Sequence, residues 1–325
     1  MNQNRRHLLK SAPAFLLPLA WQKAAAQDFP KRTITIIVPF PPGGIADPIA
    51  RLVGQKLGEA LGQAVVIDNK PGAGGQLAAA AVKQAASDGH TLFMGHMGTQ
   101  ALNPHLFSKL TYSPSDFTPI TPLVQTPHWL IVHKDSPIKS VPDLIAQSKA
   151  RAGGLTFASQ GIGTGGQLLA EMFKARAGIP GAHVPYRGSG PALQDLLANR
   201  IDFFFDSVST SLPFVREGKM RALATATSKR LPQAPDLPTL GELGFPGIEL
   251  SFWFGMFAPA GTPAPVLARL NSELITIMQS QALKDATAPV SLEIVTSTPA
   301  ELTARIQSDS QRWGKVIKDA GINAD

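Results

Sequence analysis

The chain has 325 residues, 44% of them hydrophobic, and its 30 basic and 23 acidic residues give a formal net charge of +7 at pH 7. It contains no cysteine, which excludes disulfides, thiol catalysis and cysteine-bound metal sites. The basic residues are scattered and form no stripe that could follow a phosphate backbone, which argues against nucleic-acid binding. A chain of this length predicts two domains.

Residues 1–26 have the pattern of a cleaved secretory signal peptide. Arg5, Arg6 and Lys10 precede an apolar stretch at 12–21, and three alanines follow at 24–26. The arginine pair followed by two leucines also resembles a twin-arginine export signal, and Sec export is the alternative. The segment holds four basic residues and no acidic one, so its removal lowers the net charge to +3. The sequence predicts an exported chain.

From residue 33 onward, short apolar runs alternate with helical patterns. Eight runs rich in β-branched or aromatic residues predict strands, at 33–38, 65–68, 91–95, 130–133, 156–159, 183–185, 201–205 and 222–225. Between them, apolar residues recur at spacings of three and four, as at Ile49, Leu52 and Val53, which is typical of helices. This alternation is typical of βαβ units and predicts an α/β fold with mainly parallel sheets flanked by helices.

Two changes in this pattern predict where the chain passes between two lobes. A turn signal at 134–137 follows the strand that begins near residue 128, and an apolar, aromatic strand at 250–258 follows a proline-rich stretch. We therefore predict a discontinuous first lobe of residues 27–128 and 248–325, completed by C-terminal helices, and a second lobe of residues 129–247. Two lobes joined by extended crossings can close over a ligand by hinge motion.

Four strand-to-helix junctions, two in each predicted lobe, are rich in glycine or hydroxyl residues. They lie at 39–47, 95–100, 159–166 and 205–209. Any one of them could be an ordinary turn, but ligands usually bind where strands end at their carboxyl side. At 39–47 three prolines hold the loop, while Gly43 and Gly44 let backbone N–H groups approach a ligand at a helix start. A small carboxylate would suit this junction.

Other chemistries fit the residues less well. Residues 161–166 read Gly-x-Gly-x-x-Gly, but no acidic residue follows at the spacing of a dinucleotide site, and no Gly-Lys-Ser/Thr loop exists. Ser159 and Ser189 lack the Gly-x-Ser-x-Gly elbow of hydrolases. The histidines show no metal-ligand spacing, although His96 lies on a loop of the predicted cleft. The sequence predicts neither a cofactor nor a metal.

Several single residues leave two interpretations open. Asp47 and Asp206 could be paired acids or helix caps, and Asp206 could grip a ligand amine or hydroxyl or order a loop. Tyr186 could line the cleft, and Arg187 could approach an anion or be a surface cation. The aromatic runs at 203–205 and 252–254 are more typical of core strands than of a ligand wall.

Six motifs in a fixed order carry a family resemblance that covers essentially the whole mature chain. They are Pro-Phe-Pro-Pro-Gly-Gly-x-x-Asp at 39–47, Asn-Lys-Pro-Gly-Ala-Gly-Gly at 69–75, Ser-x-Gly-x-Gly-Thr at 159–164, Tyr-Arg-Gly-Ser-Gly-Pro-Ala at 186–192, Asp206 ahead of Ser-Leu-Pro at 211–213, and Ala-Pro-Ala-Gly-Thr-Pro at 258–263. The set resembles the Bug family of extracytoplasmic solute receptors, the binding components of tripartite tricarboxylate transporters.

The resemblance implies a two-lobed periplasmic binding protein of type II, with a hinge between its lobes. The ligand residues it implies, together with the two cleft residues discussed above, are Phe40, Pro42, Gly43, Gly44, Asp47, His96, Thr99, Ser159, Gly163, Thr164, Tyr186 and Asp206. Two positions depart from the family pattern, because Gln100 and Gln167 stand where histidine is common. The ligand's polar partners are therefore expected to differ from those of other members.

The function implied by the resemblance is that of a receptor and not of an enzyme. A monomer in the periplasm would capture a small organic acid or amino acid and deliver it to membrane permease subunits. Two alternatives remain open from the residues. The protein could present its ligand to a membrane sensor kinase, or it could be a periplasmic enzyme that uses Asp47, His96 or Asp206 as general acid or base.

Overall fold

The structure, a computed structural model, describes residues 29–319 and 321–324, so the predicted signal peptide at 1–26 lies outside the described residues. Its strands are β1 (Ile34–Val38), β2 (Val65–Asn69), β3 (Thr91–His96), β4 (Phe117–His133), β5 (Leu155–Ser159), β6 (Gly181–Pro185), β7 (Phe203–Ser207), β8 (Met220–Thr225), β9 (Ser251–Pro259) and β10 (Glu293–Ile294). Its helices are α1 (Ala46–Leu61), α2 (Gln76–Lys83), α3 (Asn103–Leu106), α4 (Val141–Ala150), α5 (Gly165–Ala177), α6 (Ser189–Leu197), α7 (Val208–Arg216), α8 (Ala264–Met278), α9 (Gln281–Thr287) and α10 (Pro299–Asp319). Among the described residues, no helix has the length and hydrophobicity needed to cross a membrane.

The strands form two half-sheets that share the long strand β4. In the first half β2, β1 and β3 run parallel, and in the second β6, β5 and β7 run parallel. β4 pairs antiparallel with β9 as far as Pro127 and with β7 and β8 from His128 onward. The partners of β4 thus change between Pro127 and His128, where one half-sheet gives way to the other.

Strand β4 is much longer than the sequence predicted. The predicted strand at 130–133 is only the end of a 17-residue strand that contains Pro119, Pro122 and Pro127. Proline cannot donate to a strand ladder and is tolerated at irregularities. The pairing with β9 accordingly shifts register between Pro119 and Thr121 and again between Pro122 and Val124. Because β4 and β9 add antiparallel pairs, each half-sheet is mixed.

The core lies between the half-sheets and the helices that cover them. α1 buries Ile49, Val53 and Leu57 on one face, at the spacing of three and four that predicted this helix. Burial of each such side chain contributes about 1.5–3 kcal/mol. Trp129 and Trp253, on β4 and β9, are both fully buried. Strands β4 and β9 are therefore anchored in the core.

Candidate ligand-binding site

A cavity of about 300 Å³ lies between the two half-sheets. It is bounded by the loops that follow β1, β5, β6 and β7 and by side chains of β4 and β9. The lining residues are 40–46, His128, Gln160, 164–165, 187–191, Gln194, Ser207, Phe252 and Phe254. The predicted ligand residues among them are Phe40, Pro42, Gly43, Gly44 and Thr164.

Four helices begin at this cavity. α1 begins after Ile45, α5 after Thr164, α6 after Gly188 and α7 after Ser207, and none of these cap residues hydrogen-bonds the first turn through its side chain. The first N–H groups of a helix have no acceptor within the helix, and the helix dipole places about half a positive charge at that end. The convergence of four such ends favours an anion.

The first loop is held open toward the cavity by its own sequence and by β2. Gly43 has a φ of 93°, which disfavours a side chain, and a Cβ built there would meet no atom within 4 Å. Asn69 at the end of β2 donates from Nδ2 to the carbonyl oxygen of Phe40 at 2.9 Å. The loop is thereby fixed at its base while Gly43 presents its backbone to open space.

Arg187 provides the only formal charge of the described cavity lining. It is exposed, and among residues 29–319 and 321–324 it forms no hydrogen bond or ion pair. No aspartate or glutamate of the described chain lines the cavity. Asp47, which was predicted to bind ligand, instead pairs with Arg51, with Nε to Oδ2 at 3.0 Å and Nη2 to Oδ1 at 2.9 Å.

One wall of the cavity is aromatic. Phe252 and Phe254 are alternate residues of β9 and therefore project on the same face of the strand. Their ring centroids lie 5.6 Å apart, and the Phe40 ring lies 6.1 Å from that of Phe254. The residue between them, Trp253, points the other way and donates from Nε1 to Asp309 at 2.7 Å. The run 252–254 thus contributes to both the ligand wall and the core.

Two buried histidines at the cleft are uncharged near neutral pH, because burial lowers the pKa of His96 and of His128 to about 3. His96 accepts a hydrogen bond at Nδ1 from the N–H of Gly98, so its proton is on Nε2. His128 lines the cavity and contacts the Ser207 hydroxyl through Nε2 at 3.3 Å. His96 Nε2 and His128 Nδ1 have no hydrogen-bond partner among the described residues.

Asp206 lies behind the cavity and is fully buried. Its Oδ1 accepts from Gln160 Nε2 at 3.0 Å and from the Ser189 hydroxyl at 2.7 Å, and its Oδ2 accepts from the Thr210 hydroxyl at 2.6 Å. Burial raises the pKa of Asp206, and these donors act in the opposite direction. Gln160 and Ser189 line the cavity, so Asp206 acts on the site by holding them in place.

The side chains of the predicted ligand residues Thr99 and Ser159 also hydrogen-bond within the protein. Both are fully buried. The Thr99 hydroxyl donates to the carbonyl oxygen of His96 at 3.0 Å, and Ser159 lies 2.7 Å from His183 Nε2. These two residues shape the loops that follow β3 and β5 and do not line the main cavity.

Gly163 forms a contact between the two halves. It follows β5, and a Cβ at this position would overlap Asn103 Oδ1, which belongs to α3 in the other half. A Cβ at Gly98 would likewise overlap the Gly163 carbonyl oxygen, and one at Gly74 would lie 3.1 Å from the carbonyl oxygen of Ile162. The loops after β3 and β5 therefore touch across the cleft with room only for glycine.

Two further cavities flank the main one. A cavity of about 230 Å³ on one side is lined by His96, Tyr186 and the loop at 71–75. Tyr186 donates to Asp195 at 2.7 Å, and burial raises the pKa of its hydroxyl to about 12. On the other side, a cavity of about 480 Å³ shares Gly43, Gly44 and Gln194 with the main one and has an apolar lining.

Sequence reasoning missed several lining residues, namely His128, Gln160, Ser189, Gln194, Ser207, Phe252 and Phe254. A signal was available for Ser189, because Gly188, Ser189 and Gly190 precede a helical pattern in the same way as the first loop does. The alternation of Phe252 and Phe254 about Trp253 was a further signal. Gln160 and Ser207 lie within the predicted junctions at 159–166 and 205–209, although neither was named as a ligand residue.

The buried histidines predict a loss of stability in acid. In the unfolded state each of these histidines has a pKa of 6.5, whereas in the folded state its pKa is about 3. Between these pH values only the unfolded state binds the proton. The free energy of unfolding therefore has its full value above pH 6.5. Below pH 6.5 it should fall by about 1.4 kcal/mol per pH unit for each such histidine. Denaturant titrations at pH 7 and pH 5 measure this slope. His128→Gln should make this slope shallower, and a slope equal to that of the parent would contradict the assignment.

Comparisons with known proteins agree with this architecture. Residues 49–322 match the model of the tripartite tricarboxylate transporter family receptor. BugT of Bordetella pertussis is 36% identical over 299 residues, covering 91% of this chain and 92% of that protein. Both the predicted family and the predicted fold class are thus supported at the level of sequence.

Two solved structures have the same fold. Rpa4515 of R. palustris, solved with adipate, superposes with a TM-score of 0.86 at 36% identity, covering 91% of this chain and 99% of that one. MatC of Rhodopseudomonas palustris, solved with bound malate, gives a TM-score of 0.83 at 35% identity, covering 89% of this chain and all of that one, at 100%. The fold is confirmed as that of a two-lobed α/β periplasmic binding protein. The family match over residues 49–322 means that the chain belongs to the tripartite tricarboxylate transporter receptor family.

Proposed function

We propose that this receptor captures a small carboxylate in the cavity of about 300 Å³ between its lobes and releases it to the permease subunits of a membrane transporter. The observation that carries the proposal is the convergence of four helix starts and Arg187 on a cavity whose described lining has no acidic residue. None of the four N-cap side chains caps its own helix, although Gln160 accepts from the N–H of Gly166 in α5, and Arg187 has no partner among the described residues. Adipate and malate, found with two relatives, are carboxylates of suitable size for such a cavity.

The energy of such binding can come from these groups. Micromolar affinity requires about −8 kcal/mol. A charge-assisted hydrogen bond contributes about 1.5–3 kcal/mol, and a partly buried helix start up to about 2 kcal/mol. Three or four contacts of this kind suffice, provided that closure excludes water and offsets the cost of ordering.

The lobes in this proposal are residues 27–128 with 248–325 and residues 129–247. The change of partners along β4 between Pro127 and His128 supports the first crossing. The glycine contacts of Gly98 and Gly163 support a form in which the lobes are closed. The export signal proposed at 1–26 would bring the mature chain to the periplasm.

Binding without chemical conversion fits the cavity better than catalysis. Asp47 and Asp206, the acids considered as general acid or base, are both engaged: Asp47 pairs with Arg51, and Asp206 accepts from three side-chain donors. His128, which does line the cavity, is a weak base because burial lowers its pKa to about 3. A carboxylate incubated with the purified receptor should be recovered unchanged.

Replacing Arg187 by glutamine tests the anion site. A partly exposed charged contact should account for about a tenfold to hundredfold loss of affinity, measured by calorimetry with malate, adipate and 3-phenylpropionate. The free energy of unfolding should not change, because Arg187 has no partner in the described chain. Arg216→Gln, on the exposed last turn of α7, is the control. If both variants bind the panel as the parent does, the anion site is misplaced.

A further inference from the structure

The charges in the described lining of the cavity all have one sign. Arg187 is positive, and the four helix starts each add a partial positive charge. No acidic side chain of the described residues lines the cavity. Any cationic group on a ligand would therefore enter a space with no counter-ion.

The acids nearest to the cleft are already engaged elsewhere. Asp206 is fully buried behind the lining and accepts three hydrogen bonds. Asp195 accepts from the Tyr186 hydroxyl at 2.7 Å and pairs with Arg200 at 3.1 Å. Asp47 pairs with Arg51. None of these carboxylates could reach a ligand without losing a partner.

The remaining walls do not replace a carboxylate. The faces of Phe252 and Phe254 attract a cation only weakly compared with a buried counter-ion, and the helix starts oppose that attraction. His128 is 2% exposed, and its Nδ1 has no partner among the described residues. His128 is uncharged near neutral pH, because burial lowers its pKa to about 3, and it therefore offers no negative charge to a cation. The lining thus accepts an anion with an uncharged body.

We propose that this receptor selects carboxylates that lack an amino group and discriminates against amino acids. The inference rests on the proposed function, since it concerns the ligand of the same cavity. An ammonium group enclosed by the closing lobes loses its water and gains no carboxylate, and an uncompensated buried charge is costly. A hydroxyl or a hydrocarbon at the same carbon atom carries no such penalty.

Matched pairs of ligands test this selection. The pairs are malate and L-aspartate, adipate and L-2-aminoadipate, and 3-phenylpropionate and L-phenylalanine, each differing at one carbon atom by the amine. Calorimetry on the whole mature receptor should show, for the pair whose amine-free member binds, about a hundredfold weaker affinity for the amino acid. The pairs differ in size, so the result does not depend on a guess at the natural ligand.

A variant that supplies the missing anion gives an independent readout. Gln194 lines the cavity, is exposed, and its side chain makes no hydrogen bond within the described chain. Gln194→Glu should narrow the ratio of the two affinities by about tenfold, because the new carboxylate pairs with the amine and repels the ligand's acid. Gln194→Ala should leave the ratio unchanged.

The outcomes separate this inference from the proposed function. An amino acid that binds within tenfold of its amine-free partner overturns the inference and leaves the carboxylate receptor intact. A ratio that does not respond to Gln194→Glu overturns its electrostatic basis. If no carboxylate of the three pairs binds, the proposed function fails, and the inference fails with it.

Discussion

Replacing Asp206 by alanine is expected to weaken carboxylate binding and to lower the free energy of unfolding together. The variant leaves the donors of Gln160, Ser189 and Thr210 without their buried acceptor. Unpaired buried donors cost about 1–3 kcal/mol each, and partial rearrangement of the two hydroxyls limits the total to about 2–4 kcal/mol. Gln160 and Ser189 line the cavity, so binding should fall by at least about tenfold.

Asp206→Asn is the matched control for this result. Its side chain keeps the shape of aspartate and one acceptor oxygen, so it should lose less stability and less affinity than alanine. Denaturant unfolding and calorimetry with the panel of carboxylates measure both quantities. An Asp206→Ala variant with parental stability would show that the network around this carboxylate does not order the loops.

Replacing Gly163 by alanine should weaken binding strongly while leaving each lobe folded. The added Cβ would overlap Asn103 Oδ1 in the other half of the protein. Opening of the lobes relieves this overlap, so its cost falls on the closed form that holds the ligand. A closed form destabilised by about 1.4–2.8 kcal/mol lowers the affinity about tenfold to hundredfold.

Gly153→Ala separates this effect from backbone strain. Gly153 has a φ of 78°, close to the 74° of Gly163, but a Cβ built there meets no atom within 4 Å. Both variants should therefore lose similar stability, and only Gly163→Ala should lose affinity. Small-angle scattering with and without a carboxylate of the panel that binds the parent should show that the Gly163→Ala variant closes less. Equal affinities in the two variants would mean that the loop contact has no part in closure.

The first loop shows how far local sequence reasoning reaches. Phe40, Pro42, Gly43 and Gly44 were predicted to face a ligand, and the structure places all four in the cavity lining. Their position can be predicted from local sequence because prolines, glycines and a helix start impose their geometry through neighbouring residues. Their contact with a ligand remains a prediction that the variants above would test.

Asp206 and Arg187 show where that reasoning ends. The sequence left Asp206 open between gripping a ligand and ordering a loop, and the family resemblance placed it among the ligand residues. The sequence also left Arg187 open between an anion site and the surface. In the structure Asp206 is buried behind the lining, and Arg187 lies in the lining without a partner in the part of the chain that the structure describes. The difference depends on Gln160, Ser189 and Thr210, which reach Asp206 from three separate elements.

The sequence by itself determined the family, the α/β order of elements and the loops that open onto helices. These follow from motifs and periodicities that act over a few neighbouring residues. Only the tertiary structure decided the length of β4, whose prolines are accommodated by register shifts against β9. It also decided that Phe252 and Phe254 face the cavity. It further decided that Asp47 and Asp206 hydrogen-bond within the protein and that Arg187 lines the cavity. Burial and pairing join residues far apart in the chain, so no local pattern records them.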